Sequence, residues 1–301
     1  MQHLFLINPK AGPKDCSQEI TEGARRLCRT LGQSCRIHIS SEAGELTRIA
    51  REAGKAGVET RVYACGGDGT LNEVVTGAVG FDNLAVTSFP CGSGNDFIKQ
   101  FAKPERFFQL DSFSRVETQA VDVIQVGQRY ALNICSVGFD ARIGTSIDAY
   151  RRHPVLSGPR AYHASVAVNL IKGVAKPLRV ETGEGLVVDG NLTLVCVCNG
   201  SWYGGSYHPV PEADIQDGLL DVLVVKKVSR MTVARVISAY QKGKFADYPH
   251  LITHCKTRSL HLVMPREEPV NLDGELLTSR DVQISVLPGA LKFFAPEGAW
   301  R

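Results

Sequence analysis

No stretch of the 301-residue chain approaches the roughly 18 to 20 uninterrupted apolar residues that a bilayer-spanning helix needs. The first residues, MQHLFLINPKAG, lack a basic leader and a small-residue cleavage site, and read as a β-strand, not a signal peptide. A cytoplasmic protein is therefore expected, with any membrane contact peripheral and transient. The nine cysteines are odd in number and include no CxxC pair, which argues against a disulfide framework or a thiolate metal centre. They are expected as buried, reduced thiols. Cys65 and Cys91 abut glycine-rich loops, and Cys196 and Cys198 are expected on opposite faces of a strand. An excess of one charge is also missing: 34 Lys and Arg against 31 Asp and Glu leave a net charge of +3. That is too little to argue for a nucleic-acid partner. Internal repeats and low-complexity segments are absent.

A hydrophobic fraction of 44% and this length can bury a sizeable core and suit two domains. The first part alternates strand and helix signals. Apolar His3–Ile7 stops at Asn8-Pro9, residues 18–31 carry apolar groups at helical spacing, and Cys35–Ile39 alternates as a strand. Helical spacing returns at 45–56, a strand at 60–65, a helix at 70–79 and a strand at 84–89. Short connections between such elements predict a parallel sheet covered by helices, an α/β domain over 1–118. From about residue 119 the pattern changes to closely spaced strands punctuated by Gly, Asp and Asn, with helical stretches only at 158–173 and 232–243. This predicts an antiparallel β-sandwich over 119–288, with 289–301 able to pack back on the first domain.

Two glycine loops carry the chemistry. Strand residues Arg61–Cys65 run into Gly66-Gly67-Asp68-Gly69-Thr70, and a helix begins there. Glycine lets the backbone approach a bulky anion, and the helix N-terminus offers unpaired N–H groups and a favourable dipole. Asp68 is the informative residue. A carboxylate inside a phosphate loop repels the ligand unless it binds Mg²⁺ or accepts a proton, and both roles suit phosphoryl transfer. Taken alone, GGDG is also an ordinary βα turn with an acidic cap. A second loop, Pro90-Cys91-Gly92-Ser93-Gly94-Asn95-Asp96, and a third turn, Asn8-Pro9-Lys10-Ala11-Gly12, end neighbouring strands on the same edge. That edge is where open α/β sheets bind ligands. Neither glycine loop matches Walker A or GxGxxG.

GGDGT followed by Asn72-Glu73, with PCGSGNDF one βα unit later and NPKAG at the start, resembles the catalytic domain of diacylglycerol kinases and their relatives, which include sphingosine, ceramide and bacterial lipid kinases. The resemblance continues through Asn133–Asp140, through Gly204-Gly205 with Pro211–Asp221, and through Asn271-Leu272-Asp273-Gly274-Glu275. It implies a nucleotide domain, a β-sandwich and an active site in the cleft between them. It further implies an ATP- and Mg²⁺-dependent kinase acting on a lipid hydroxyl, most simply that of diacylglycerol, in phospholipid biosynthesis. Gly66, Gly67, Asp68, Gly69 and Thr70 would hold the nucleotide and its Mg²⁺, with Asn8, Ser40, Glu73, Gly92 and Ser93 lining the pocket. Ser40 stands where the family more often has Thr. Lys14 and Arg160 would meet phosphate. Asp68 would orient or deprotonate the acceptor hydroxyl, and Asp273 and Glu275 would reach over as a Mg²⁺ ligand or alternative base. By the same resemblance Asp217, with the carbonyls of Asp214 and Leu219, would hold a structural Mg²⁺; read from residues alone, Asp217-Gly218 is a turn.

The expected partners are a lipid substrate and the membrane surface, with no nucleic acid and a homodimer left open. Arg151-Arg152-His153-Pro154 and Trp202-Tyr203-Gly204-Gly205 could touch headgroups and acyl chains, or could be a solvated charge run and sandwich packing. Two rivals stand beside this function. An NAD kinase also looks like GGDGT plus a second β domain, and a nucleotide-binding regulator would need no catalysis.

Overall fold

The computed structural model describes residues 1–139, 141–142 and 175–301. Arg160, the Arg151–Pro154 cluster and the helical stretch at 158–173 lie outside the described residues.

The first domain alternates as its pattern predicts: β1 (Gln2–Ile7), α1 (Ser17–Leu31), β2 (Ser34–Ile39), α2 (Glu45–Lys55), β3 (Thr60–Gly66), α3 (Asp68–Ala78) and β4 (Leu84–Pro90). All pairings among these strands are parallel, in the order β2-β1-β3-β4. The order reverses between β1 and β3, so the loops ending those two strands flank the crevice where such sheets take their ligands. Short 3₁₀ turns at Phe97–Gln100, Pro104–Phe108 and Leu110–Ser114 follow β4. Their apolar residues Phe97, Phe101, Phe107 and Phe113 are buried with Phe5, Tyr63, Phe293 and Phe294 in one aromatic core. Edge-to-face pairs such as Phe97–Phe293, at 4.9 Å between centroids, add to the burial.

The second domain is built from β5 (Val116–Val126), β6 (Arg129–Ala131), β7 (Ile134–Gly138), β8 (Lys176–Thr182), β9 (Val187–Cys198), β10 (Leu220–Lys226), α4 (Arg230–Gln241), β11 (Ile252–Thr257), β12 (Ser259–Leu272) and β13 (Glu275–Pro296). The pairings within it are antiparallel. Three of these strands are longer than the sequence pattern suggests. β9 runs through Gly190, held at φ +145°, and β12 and β13 each shift register, between Val263 and Glu268 and between Leu287 and Leu291. The polar or glycine interruptions that look like strand ends are bulges and bends within continuous strands. β13 leaves β12 after Ser285, pairs antiparallel with β5 from Ile284 to Pro296 on both sides of its bulge, and meets β4 in parallel register at Lys292↔Ala85. One hydrogen-bonded sheet therefore runs through both domains.

β9 and β10 are apolar on both faces. Val195 and Val197 point into the sandwich interior, whereas Leu194, Cys196 and Cys198 point to the opposite side, where Val233, Val236 and Tyr240 of α4 cover them. The expectation for Cys196 and Cys198 fails here. Residues two apart on a strand share a face, and their sulfurs lie 3.6 Å apart in the core. Among the described residues no helix is long and apolar enough to cross a membrane.

Candidate active site at the glycine loops

Three loops meet at the carboxyl ends of β1, β3 and β4. The Asn8 amide donates to the Cys65 carbonyl, and Asn8 Nδ2 donates to Thr70 Oγ1 at 3.1 Å. The Cys91 amide donates to the Gly66 carbonyl at 2.8 Å. The glycines are where they are because the loops touch through backbone. A Cβ on Gly92 would sit 2.5 Å from the Gly67 Cα, one on Gly12 2.2 Å from the Cys91 carbonyl oxygen, and one on Gly66 2.2 Å from Thr70 Oγ1. Asn95, at φ +50°, closes the second loop by accepting from the Gly92 amide and donating to the Gly92 carbonyl. Gly92→Ala should therefore force the two loops apart, because the obstructing atoms are backbone. Overpacking of this kind costs about 1–3 kcal/mol, so KM for the nucleotide should rise about tenfold. Steady-state kinetics beside a thermal melt checks this; an unchanged KM would show that the loop contact does not matter.

Asp68 opens α3, where Gly67 is the N-cap residue, and its carboxylate is half-buried. Oδ1 accepts from the Asp96 amide at 2.6 Å, and Oδ2 lies 2.5 Å from where a Gly94 Cβ would be. Burial, and next the charge of Asp96, push its pKa above the usual carboxylate range. Asp96 is itself buried. Its Oδ1 takes the Lys99 ammonium at 2.5 Å, and its Oδ2 accepts from the Gly205 amide at 2.9 Å, while Lys99 also donates to the Gly205 carbonyl. Asp96, Lys99 and Gly205 thus lace the second glycine loop to the second domain. Sequence reasoning left Asp96 and Lys99 without a role, although the acid stands inside the quoted GSGNDF run.

Glu73, one turn into α3, accepts from the Gly44 amide at 3.0 Å and so fixes the start of α2. Burial raises its pKa first, and the charge of Glu275 raises it further. Glu275 reaches in from the other domain, with Oε1 3.8 Å from the position of a Gly69 Cβ. It follows Asp273-Gly274, whose φ values of +50° and +97° meet the type I′ requirement for the two-residue hairpin joining β12 to β13. The Asp273 carboxylate accepts from the amides of Leu132, Asn133 and Ile134 at 2.6–3.1 Å. Burial pushes its pKa up to about 6 against the opposing pull of those amides. Its oxygens are committed to the β6–β7 connection.

The remaining expected residues fall in two places. Ser40 is tied to the end of β1 by its amide, which donates to the Ile7 carbonyl; Ser93 and Lys14 are exposed on loops of the same edge. The Asp214–Leu219 turn wraps the buried Asp122, whose carboxylate accepts from the amides of Gly218 and Gly289 at 2.7 Å each. An acid inside the apolar run Val121–Val126 was the signal for Asp122. Asp217 accepts from the Leu219 amide at 2.9 Å and from Lys256 Nζ at 2.6 Å. Lys256 also sits 3.6 Å from Asp221, its cross-strand partner. Each Asp217 oxygen thus accepts one protein donor, and a dication bound there would have to displace the Lys256 ammonium. Asp214 Oδ1 accepts from the Gln216 amide. Among the described residues no group of three His, Cys, Asp or Glu side chains is arranged to hold a metal by itself. An Mg²⁺ arriving with phosphates is a different case, because Mg²⁺ commonly takes only one or two carboxylates beside phosphate oxygens and water. Glu73 and Glu275, close enough for the charge of Glu275 to raise the pKa of the Glu73 carboxyl, suit that role.

Comparison with known proteins agrees with this architecture. Residues 2–126 match the diacylglycerol kinase catalytic domain, and residues 133–295 match the YegS C-terminal NAD kinase beta sandwich-like domain. A Chromohalobacter salexigens protein named "Probable lipid kinase YegS-like" is 31% identical over 93% of this chain and 90% of its own length. An Escherichia coli protein named "Probable lipid kinase YegS" is 29% identical over 97% and 95%. A crystal structure described as a diacylglycerol kinase from Bacillus anthracis superposes with a TM-score of 0.70 at 22% identity, covering 99% of this chain and 98% of that one, and so shares the fold. With both domain matches in order along the chain and relatives aligned nearly end to end, the protein belongs to the YegS family of lipid kinases, built on the diacylglycerol kinase catalytic domain.

Proposed function

We propose that the protein is an ATP- and Mg²⁺-dependent kinase that transfers the γ-phosphoryl group to a lipid hydroxyl, with diacylglycerol as the acceptor. The observation that carries this proposal is Asp68: a half-buried carboxylate with a raised pKa, placed between two touching glycine loops at a helix N-terminus. The amides of the Gly66–Thr70 loop bind and orient the triphosphate, with Gly92 packed against Gly67 and with Asn8 and Thr70 holding the loops together. Glu275 and Glu73 would help to hold the Mg²⁺ that accompanies ATP, which would offset charge on the phosphates. Asp68 orients the acceptor hydroxyl and takes its proton as the new O–P bond forms and the bond from the γ-phosphorus to the bridging oxygen of ADP breaks. Asp273 acts at one remove: it anchors the β6–β7 backbone and the turn that delivers Glu275.

The lipid side of the proposal draws support from the family match and from a small apolar cleft of about 40 Å³ lined by Phe139, Leu194, Tyr203, Val233, Val236 and Tyr240. Its tyrosines flank the Gly204-Gly205 turn, which is bonded to Asp96 and through it to Asp68. Labelled ATP, Mg²⁺ and a panel of diacylglycerol, phosphatidylglycerol, sphingosine and ceramide test the activity, with labelled phosphatidic acid as the expected product. Label in NADP from NAD, and in no lipid, would replace this function with that of an NAD kinase.

A further inference from the structure

Between Asp221 and Asp247 the sequence has no acidic residue, yet it carries Lys226, Lys227, Arg230, Arg235, Lys242 and Lys244. In a chain with a net charge of +3 this is a local concentration of positive charge. The structure arranges it around α4. The inner side of the helix packs Val233, Val236 and Tyr240 against β9 and β10. The outer side presents Met231, Arg235, Ser238 and Lys242 in sequence, at steps of four, three and four, which is one continuous helical stripe. All four are exposed, as are Lys226 and Lys227 before the helix and Lys244 after it. Met231 is 89% exposed, the most exposed of the large hydrophobic side chains among the described residues. An apolar tip set among bases on a surface helix matches the chemistry of a headgroup–acyl boundary.

The position of the stripe also matters. Val233, Val236 and Tyr240 are lining residues of the apolar cleft, and Tyr203 and Tyr207 complete it on the side of the Gly205–Asp96–Asp68 bonds. The basic face is therefore the outer side of the helix that closes this apolar cleft. We propose that the Lys226–Lys244 segment docks on an anionic bilayer surface, with Met231 entering the interface and the bases facing lipid phosphates. The membrane then lies on the α4 side of the second domain, and the substrate is drawn from that surface. This inference rests on the lipid-kinase function proposed above.

The test is sedimentation of the full chain with vesicles of phosphatidylcholine alone, or with three parts in ten of phosphatidylglycerol. Wild-type protein should bind the anionic vesicles, and bind less as salt rises. A base near an anionic surface contributes about 1 kcal/mol, or about fivefold each, so Lys226→Gln with Lys227→Gln should weaken binding about 25-fold. Arg235→Gln with Lys242→Gln, made separately, should do the same, and Met231→Ser should weaken it several-fold. Arg266→Gln, an exposed base paired with Glu268 on β12, should change it less than twofold. Wild-type indifference to anionic lipid, or α4 variants that sediment as wild type, would overturn the docking surface. Turnover of diacylglycerol in neutral detergent micelles separates the two ideas. The α4 variants should keep it, whereas its absence in wild type would remove the kinase function and leave the vesicle result to be read by itself.

Discussion

Asp68→Asn is expected to lower turnover by about 10²- to 10⁴-fold, the range for removing a general base, while the melting temperature holds or rises. The substitution keeps the shape and one oxygen, so the 2.6 Å bond from the Asp96 amide survives. It removes the charge that faces Asp96 in a half-buried setting, and that relief is why stability should not fall. What disappears is the proton acceptor between the glycine loops. Labelled-ATP turnover with diacylglycerol measures the loss, and calorimetric nucleotide titration shows whether binding persists. A variant that binds ATP and keeps half of its activity would remove Asp68 from the chemistry. The raised pKa adds a second readout. In the wild-type protein the acid limb of kcat/KM should lie above the ordinary carboxylate range, because the base must be ionised to act and burial delays its ionisation.

Asp273→Ala should cost about 3–5 kcal/mol of stability, since each unsatisfied buried donor costs about 1–3 kcal/mol and three amides lose their acceptor together. Leu132, Asn133 and Ile134 are all buried, so water compensates poorly. The Asp273 residue as a whole is only part-buried although its carboxylate is enclosed by the amides, which places the figure in the lower part of the range for three such penalties. Domain stabilities are about 5–15 kcal/mol, so the variant should unfold well below the wild-type midpoint in urea. Asp273→Asn separates the clamp from simple disruption. It retains one acceptor oxygen and tolerates the φ of +50°, and should lose about 1 kcal/mol. Equal midpoints for Asp273→Ala and wild type would show that the amides find other partners. In the Asn variant kcat should fall less than in Asp68→Asn, because Glu275 is delivered by the same turn without Asp273 touching substrate.

Local signals made most of the first domain legible. Helical spacing at 18–31 and 45–56 and apolar runs at 3–7, 60–65 and 84–89 placed each element within a residue or two, because every helix there has one buried face and every connection is short. Legibility fell in the second domain for three physical reasons. The irregularity in β12 inserts polar residues and that in β13 inserts Pro288-Gly289-Ala290 into continuous strands, so single strands resemble pairs. β11 alternates Ile252, His254 and Lys256 with Thr253, Cys255 and Thr257, too polar a pattern to stand out, yet it pairs with β10 along six residues. The 3₁₀ turns after β4 have no periodicity and are held by the aromatic core they help to build.

At the active site the division is similar. Spacing pointed to the glycine loops and to Asp68, because phosphate loops need small residues in contiguous sequence, whereas Glu73 came only from the family resemblance. By itself the sequence determined the order of the strands and helices in the first domain, the edge that carries the loops, and the acid among them. Tertiary structure decided which groups those loops meet. Asp96 binds Gly205 across 109 residues, Asp273 clamps amides about 140 residues away, and Glu275 approaches Gly69 only because β13 threads from one domain to the other. Such pairings leave no periodic trace, since a hydrogen bond between distant segments constrains two side chains and not the pattern of either one.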